Sequence, residues 1–434
     1  MSSPCMCGSM LGGSAVLAYV SVPPAGWAAA PRGHARPSAA APSRNSRRFR
    51  RPSRRSFMAG PSRVAPSGHD HTRAAPPLSA HAPSHSIATP DTRALEKGGG
   101  IVMDCCGHEG RGSGDARFDV KKVADGVHVA VATPAYKVNS NTAIIESDDG
   151  VVIVDTHSKP SAARVIVERL SEITTAPVRY VVNTHFHWDH WHGNEVYPAA
   201  YPNAEIVTNQ LTREAMVTKG LKRIQDHVRQ VPREIAQLEA ERAAAGAPAE
   251  RARLEANVRL AASYLAEVRA LKPALPTMVF ERTMTLYRRD REIHLLYLGR
   301  AHTEGDVFVY LPKEKVVITG DAVIGWTPYM GDGYPEDWVA TLDRLAQLDW
   351  RHMIMGHGDV AGRDWLATFR SYIHDLVDAV REQAAAGATL AEVQQRVPAK
   401  LAPTYEKPFS TYGHYRPWRQ GILGNIERAY AMVS

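Results

Sequence analysis

Residues 183–194 read Asn-Thr-His-Phe-His-Trp-Asp-His-Trp-His-Gly-Asn and follow directly on an apolar run, Val178–Asn183, that has the character of a buried strand. His185, His187, Asp189 and His190 thus fall within six residues at a strand exit. A lone histidine there would be structural, but packing alone does not place so many titratable groups together. A loop leaving a strand can turn alternate side chains toward one point and the rest toward a second. Imidazole nitrogen and carboxylate oxygen suit Zn²⁺, and also Fe or Mn.

The rest of the chain supplies three further groups of the same kind. His302 stands in Gly299-Arg300-Ala301-His302-Thr303-Glu304-Gly305-Asp306, after an expected strand Ile293–Leu298. Asp321 follows the expected strand Val316–Thr319, and His357 follows His352–Met355 in the run Met355-Gly356-His357-Gly358-Asp359. Each lies near glycine and just past a strand, which puts them at one end of a sheet, where α/β sites are commonly built. Val127–Ala132, Asn141–Glu146, Val151–Asp155 and Val307–Leu311 read as further strands, with Asp148-Asp149-Gly150 as a turn. Ser161–Glu172, Trp338–Leu348 and Asp364–Ala386 read as helices. Strands in two groups with helices between and after them predict a layered α/β sandwich.

One block interrupts this order. Leu221, Ile224, Val228, Val231, Ile235 and Leu238 recur at alternating spacings of three and four. Leu254, Val258, Ala261, Leu265 and Val268 repeat the rhythm after a Gly/Pro break. Two such stripes describe an antiparallel helical hairpin, an insertion spanning Thr212 to Lys272. Pro232 should kink its first helix or start a new one. The hairpin can serve as a solvated outgrowth with one packed seam, as a lid, or as the contact of a homodimer.

Charge and cysteine content narrow the class. Of the 434 residues, 52 are Lys or Arg and 45 Asp or Glu, a net of +7 that suggests a basic protein. The surplus is local: residues 1–102 carry 13 basic groups against Asp70, Asp91 and Glu96, and the remainder is close to neutral. A nucleic-acid partner is therefore not expected of the body. The same 102 residues hold 13 of the 29 prolines and show no apolar periodicity, so disorder is the expectation. Competing readings of this tail are a secretory signal at 10–22, a twin-arginine motif at 53–58 and a basic arm at Arg44–Arg55. A fourth takes Lys97–Gly100 as the trace of a ribosome-binding site, with translation starting at Met103. No run reaches the roughly 18–20 apolar residues of a membrane span, and a cytoplasmic location is expected. Cys5, Cys7, Cys105 and Cys106 are the only cysteines, which rules out a disulfide framework, a cysteine nucleophile or a Cys-ligated metal beyond position 106.

With these motifs in order, the sequence resembles the metallo-β-lactamase-fold hydrolase superfamily, through His185-x-His187-x-Asp189-His190 and the later His302, Asp321 and His357. The resemblance runs from about Val127 to Gly358 and implies a four-layer αβ/βα sandwich with a dinuclear site at the sheet edges. By the same resemblance His185, His187 and His302 hold one metal. Asp189, His190 and His357 hold a second, and Asp321 bridges the two. A carboxylate at position 187 would point to a diiron, oxygen-reducing member; histidine disfavours it. Aspartate at 321 is more similar to thioesterase- and lactonase-like members than to secreted β-lactamases. Only 35 residues separate Asp321 from His357, too few for the domain that nuclease members insert there.

The expectation that follows is a zinc-dependent hydrolase with two Zn²⁺, or Fe or Mn in their place. Its metal-bridging hydroxide would attack an ester, thioester, lactone or amide carbonyl of a small-molecule substrate. Asp189 would be the catalytic residue, ligating and orienting the nucleophile. Asp155, at the end of its strand, is a candidate for holding the histidine loop. Trp188, Trp191, Trp326 and Tyr329 are candidate pocket walls, with Trp191 and His192 alternatively packed beneath the loop. The rival functions are a β-lactamase and a mononuclear iron oxidoreductase of the persulfide-dioxygenase kind.

Overall fold

A computed structural model describes residues 118–132, 140–411 and 416–433. The cysteines, the tail of residues 1–102 and its competing readings lie outside the described residues.

Twelve strands are described, and they form two sheets. The first runs in the order β1 (Phe118–Ala124), β2 (Val127–Ala132), β3 (Thr142–Ser147), β4 (Gly150–Val154), β5 (Val178–Val182), β6 (Glu205–Asn209) and β7 (Met278–Phe280). Pairing is antiparallel from β1 to β4 and parallel from β4 to β7. The second runs β12 (His352–Met355), β11 (Val316–Gly320), β10 (Val307–Leu311), β9 (Glu292–Tyr297) and β8 (Thr283–Tyr287). Only β11 and β12 pair in parallel in that sheet.

The period of two along the strands builds the layers. Ala143, Ile145, Val152 and Val154 of the first sheet meet Leu295, Val307, Val309 and Ile318 of the second in one buried cluster between the sheets. Ile144 and Ile153 point the other way, onto α1 (Pro160–Arg169) and α3 (Val196–Ala200). On the far side Phe308, Tyr310, Val317 and Met353 pack on α7 (Pro335–Ala346), α8 (Arg363–Ala385), α9 (Leu390–Phe409) and α10 (Trp418–Val433). Helices on both outer faces and apolar contact between the sheets make the four-layer αβ/βα sandwich. Each fully buried Val or Ile contributes about 1.5–3 kcal/mol to it.

Between β6 and β7 the chain leaves the sandwich through α4 (Gln210–Ala215), a π-helical turn at Met216–Gly220, α5 (Leu221–Ala244) and α6 (Pro248–Ala270). Ile224, Val231 and Leu238 of α5 face Leu254, Ala261, Leu265 and Val268 of α6, all buried. Pro232 does not start a new helix, because α5 continues through it from Leu221 to Ala244. The loss of one amide bond there is offset by the packed seam on either side. The base of the hairpin rests on the histidine loop, where Met216, Ile224, Val231, Tyr264 and Leu265 cluster with Phe186 and Trp191. Polar contacts fix it further. Glu267 accepts from Ser161 N and Oγ, Glu195 accepts from Lys272 N, and Thr212 donates to Gly305 O. No described helix is long and apolar enough to cross a membrane.

Candidate metal centre

The parallel strands explain where the site forms. Asp155 follows β4, the histidine loop follows β5, Asp321 follows β11 and His357 stands just beyond β12. All exit at the carboxyl ends of neighbouring strands, and His302 joins them from the β9–β10 loop. The two sheets are tied together at this edge. Val307 N donates to Thr184 O at 2.8 Å. Asn141 donates its amide N–H groups to Met355 O and Gly358 O at 2.9 and 2.7 Å.

The seven candidate ligands come together in overlapping groups. His185, His187 and His302 form one; His185, His190 and Asp321 a second; Asp189, His190 and His357 a third. Within each, the potential donor atoms lie inside 4.8 Å of one another. The first three imidazoles stand edge to face, with ring centroids 4.6–4.8 Å apart. His187 Nδ1 and His302 Nε2 are only 2.8 Å apart. Asp321 lies between the groups, 3.6 Å from His302 Nε2, 3.3 Å from His190 Nε2 and 3.4 Å from His357 Nε2. Asp189 Oδ2 is 3.2 Å from His357 Nε2.

These donors fit a cation. His185 Nε2, His190 Nε2 and Asp321 Oδ1 are buried and make no hydrogen bond, which is costly unless another group satisfies them. The electrostatics differ between the two sides. Burial, then the neighbouring imidazoles, push His185 down, and burial takes His302 to about 3. Burial opposes charge on His190 and His357 as well, but nearby carboxylates outweigh it. Asp321, Asp155 and Asp189 lift His190 well above its usual range, and Asp321 with Asp189 lifts His357 to about 9. Asp321 is itself held well below the carboxylate range, since His357 and His190 overcome its burial. Burial thus dominates at His185 and His302, whereas neighbouring carboxylates dominate at His190 and His357.

Further residues fix the orientation of the imidazoles. Asp155 Oδ2 lies 2.6 Å from His190 Nδ1, and the same carboxylate accepts from Thr184 N and Oγ1 at 2.8 and 2.7 Å. The candidate role for Asp155 therefore has direct contacts behind it. Its backbone sits at φ 64°, a left-handed conformation that Asp tolerates better than most residues. Beneath the loop Asn183 and Asn194 exchange amide hydrogen bonds, and Thr156 donates to Asn194. His187 Nε2 is 2.9 Å from Asp332 Oδ2, and that oxygen also accepts from Arg223 Nη2 of α5 at 2.6 Å. Sequence reasoning missed Asp332 and Arg223. The polar Gly331-Asp332-Gly333 run after the Asp321 motif is a signal for the first; nothing local marks the second.

The aromatic candidates separate. Trp191 is buried, donates to Phe186 O and stacks where a side chain on Gly220 would stand, so it packs beneath the loop and is not a pocket wall. Trp188 faces His227 and Tyr264 of the hairpin. Trp326 lies 5.0 Å from the His357 ring, and Tyr329 lies 5.7 Å from His187. The charges that bear on the Tyr329 phenol are Asp332 and three arginines, Arg223, Arg416 and Arg428.

A family model described as the metallo-beta-lactamase superfamily matches residues 135–357, and the chain belongs to that superfamily. Among curated relatives, a linear primary-alkylsulfatase from Pseudomonas sp. (strain ATCC 19151) is 23% identical over 65% of this chain and 55% of its own length. A 2,4-dinitroanisole O-demethylase subunit alpha from Nocardioides sp. (strain JS1661) is 27% identical over 50% of this chain and 52% of its own. The chain thus spans about half the length of these relatives. A solved structure, a metallo-beta-lactamase from Pontibacter korlensis, aligns with a TM-score of 0.44 and 17% identity over 59% of this chain and 99% of that one.

Proposed function

We propose that the protein is a metal-dependent hydrolase of a small-molecule ester, working with two divalent cations, zinc being the first choice. The observation that carries this reading is the convergence of seven His and Asp side chains from both sheets at one edge, with buried donor atoms lacking hydrogen-bond partners. His185, His187 and His302 would hold one cation, Asp189, His190 and His357 the other, and Asp321 would stand between them. Bound there, such cations supply Lewis-acid polarisation and lower the pKa of water toward roughly 7. Asp189, buried beside His357, would orient the attacking water through Oδ2. Trp326 and Tyr329 would line the approach. No serine or cysteine nucleophile is needed.

The substrate class is broader than carboxylic esters. Relatives named as an alkylsulfatase and an O-demethylase bring sulfate esters and aryl ethers into consideration. Arg416 and Arg428, which bear on Tyr329 beside the Asp332-paired Arg223, favour a substrate carrying negative charge. Initial rates on alkyl sulfates, carboxylic esters, thioesters, lactones and nitrocefin, alongside elemental analysis, test this reading. We expect about two zincs per chain, a preference for the anionic ester, and a loss of about 100-fold or more in Asp189→Asn. One iron per chain with thiol-dependent oxygen uptake would overturn it, as would full activity in Asp189→Asn.

A further inference from the structure

The helical hairpin reaches the candidate metal centre through one side chain. Arg223 lies early in α5, with its guanidinium 4.9 Å from the ring of Phe186, the residue between His185 and His187. Its Nη2 donates to Asp332 Oδ2 at 2.6 Å, and the same oxygen is 2.9 Å from His187 Nε2. An ionised carboxylate can only accept, so the proton between Asp332 and His187 sits on Nε2. That leaves the lone pair on Nδ1, the atom facing His302 Nε2. Asp332 is only 12% exposed, and Arg223 balances its charge in this setting.

Each side of the centre therefore has one carboxylate behind one imidazole. Asp155, from the body of the sheet, backs His190; Asp332, charge-balanced from the insertion, backs His187. The hairpin's anchors on Ser161, Glu195 and Gly305 hold Arg223 in place, which suits a fixed buttress better than a closing lid.

We propose that Asp332 and Arg223 are positioning residues for His187, so that the helical insertion sets the cation affinity of the His185–His187–His302 group. This rests on the metal-dependent reading above, but not on the substrate. The lone pair of His187 points correctly because Asp332 holds its opposite nitrogen, and Asp332 stays in place because Arg223 holds it. Partners of this kind behind a ligand are generally worth 10–100-fold in metal affinity.

The experiment is a double-mutant cycle on the full chain, stripped with chelator and titrated with Co²⁺ followed by absorbance and calorimetry. Asp332→Ala should weaken the affected cation by about 10–100-fold. Arg223→Gln, which keeps most of the packing on Phe186 but removes the charge, should weaken it by about 10-fold, the lower end of that range. The double variant should be no weaker than Asp332→Ala alone, and Arg223→Lys should recover part of the loss. Melting temperature and circular dichroism accompany each titration, so that a folding defect is seen as such. An unchanged isotherm in Arg223→Gln, or fully additive losses, would overturn the proposal. Failure of the parent protein to bind any divalent cation would overturn the metal-dependent reading itself, whereas binding without esterase activity would remove only the hydrolase assignment.

Discussion

Gly356 shows how little room the candidate centre leaves at the scale of single residues. A β-carbon built there would lie 2.0 Å from Asp321 Oδ1 and 2.7 Å from the carbonyl carbon of Gly320. The second contact is with backbone, so rotating a side chain does not relieve it. Gly356→Ala should displace Asp321, lower stability by about 1–3 kcal/mol and weaken cation binding at least tenfold. Scanning calorimetry and metal titration measure the two effects separately, and a variant with the parent's affinity would show that Asp321 is not held as described. Residue types at this scale were largely legible in the sequence. His185, His187, Asp189, His190, His302, Asp321 and His357 each sit where a local strand signal ends, so their convergence follows once the strands lie side by side. Arg223 was not legible, because its partner Asp332 lies 109 positions away and no local pattern links them. Trp191 was ambiguous for the same reason: its place depends on the hairpin packed over it.

At the scale of elements, the apolar periodicity was a good guide to eight of the twelve described strands and to the hairpin. The expected strand at Val127–Ala132 has the observed bounds, and the two stripes of the hairpin are the buried faces of α5 and α6. Helix α9 escaped notice although Val393, Val397, Leu401, Tyr405 and Phe409 recur every fourth residue and are all buried. Pro398, Pro403 and Pro408 fall inside it and read locally as breaks. A capping box at Thr389 and Glu392 starts the helix, and packing on α8 and α10 offsets the missing amide bonds. Strands β1, β6, β7 and β8 were also missed; β7 has three residues, too few for a period to declare itself. Pro232 in α5 offers a direct test of how much packing compensates. Pro232→Ala restores an amide donor in mid-helix and should stabilise the protein by about 1–3 kcal/mol, within the roughly 3 kcal/mol intrinsic penalty. Chemical denaturation measures this, and a lower midpoint would mean that the proline ring itself packs productively.

Considered as a whole molecule, the sandwich is built on extensive apolar cores. Apolar clusters between the sheets and under the outer helices hold the layers together through aliphatic and aromatic side chains. Chelation should accordingly abolish activity while leaving the far-ultraviolet circular dichroism of the protein intact; loss of that signal would show the metal to be structural. Cation affinity should fall as pH drops below about 9, since His357, lifted to about 9 by Asp321 and Asp189, must give up its proton to bind, and titrations at pH 6.5 and 8.5 check the sign. The division of the ligands between the two sheets has a last consequence, for how the protein is made. His302, Asp321 and His357 reach the centre only when both halves have docked, yet His185, His187, Asp189 and His190 stay neighbours in any conformation of the chain. A newly synthesised or denatured polypeptide thus already carries a small chelating peptide. Cations captured by it lower the advantage that binding gives the native state. Renaturation in chelator with zinc added afterwards should therefore recover more activity than renaturation in excess zinc, and equal yields would show that the premature complex does not hinder docking.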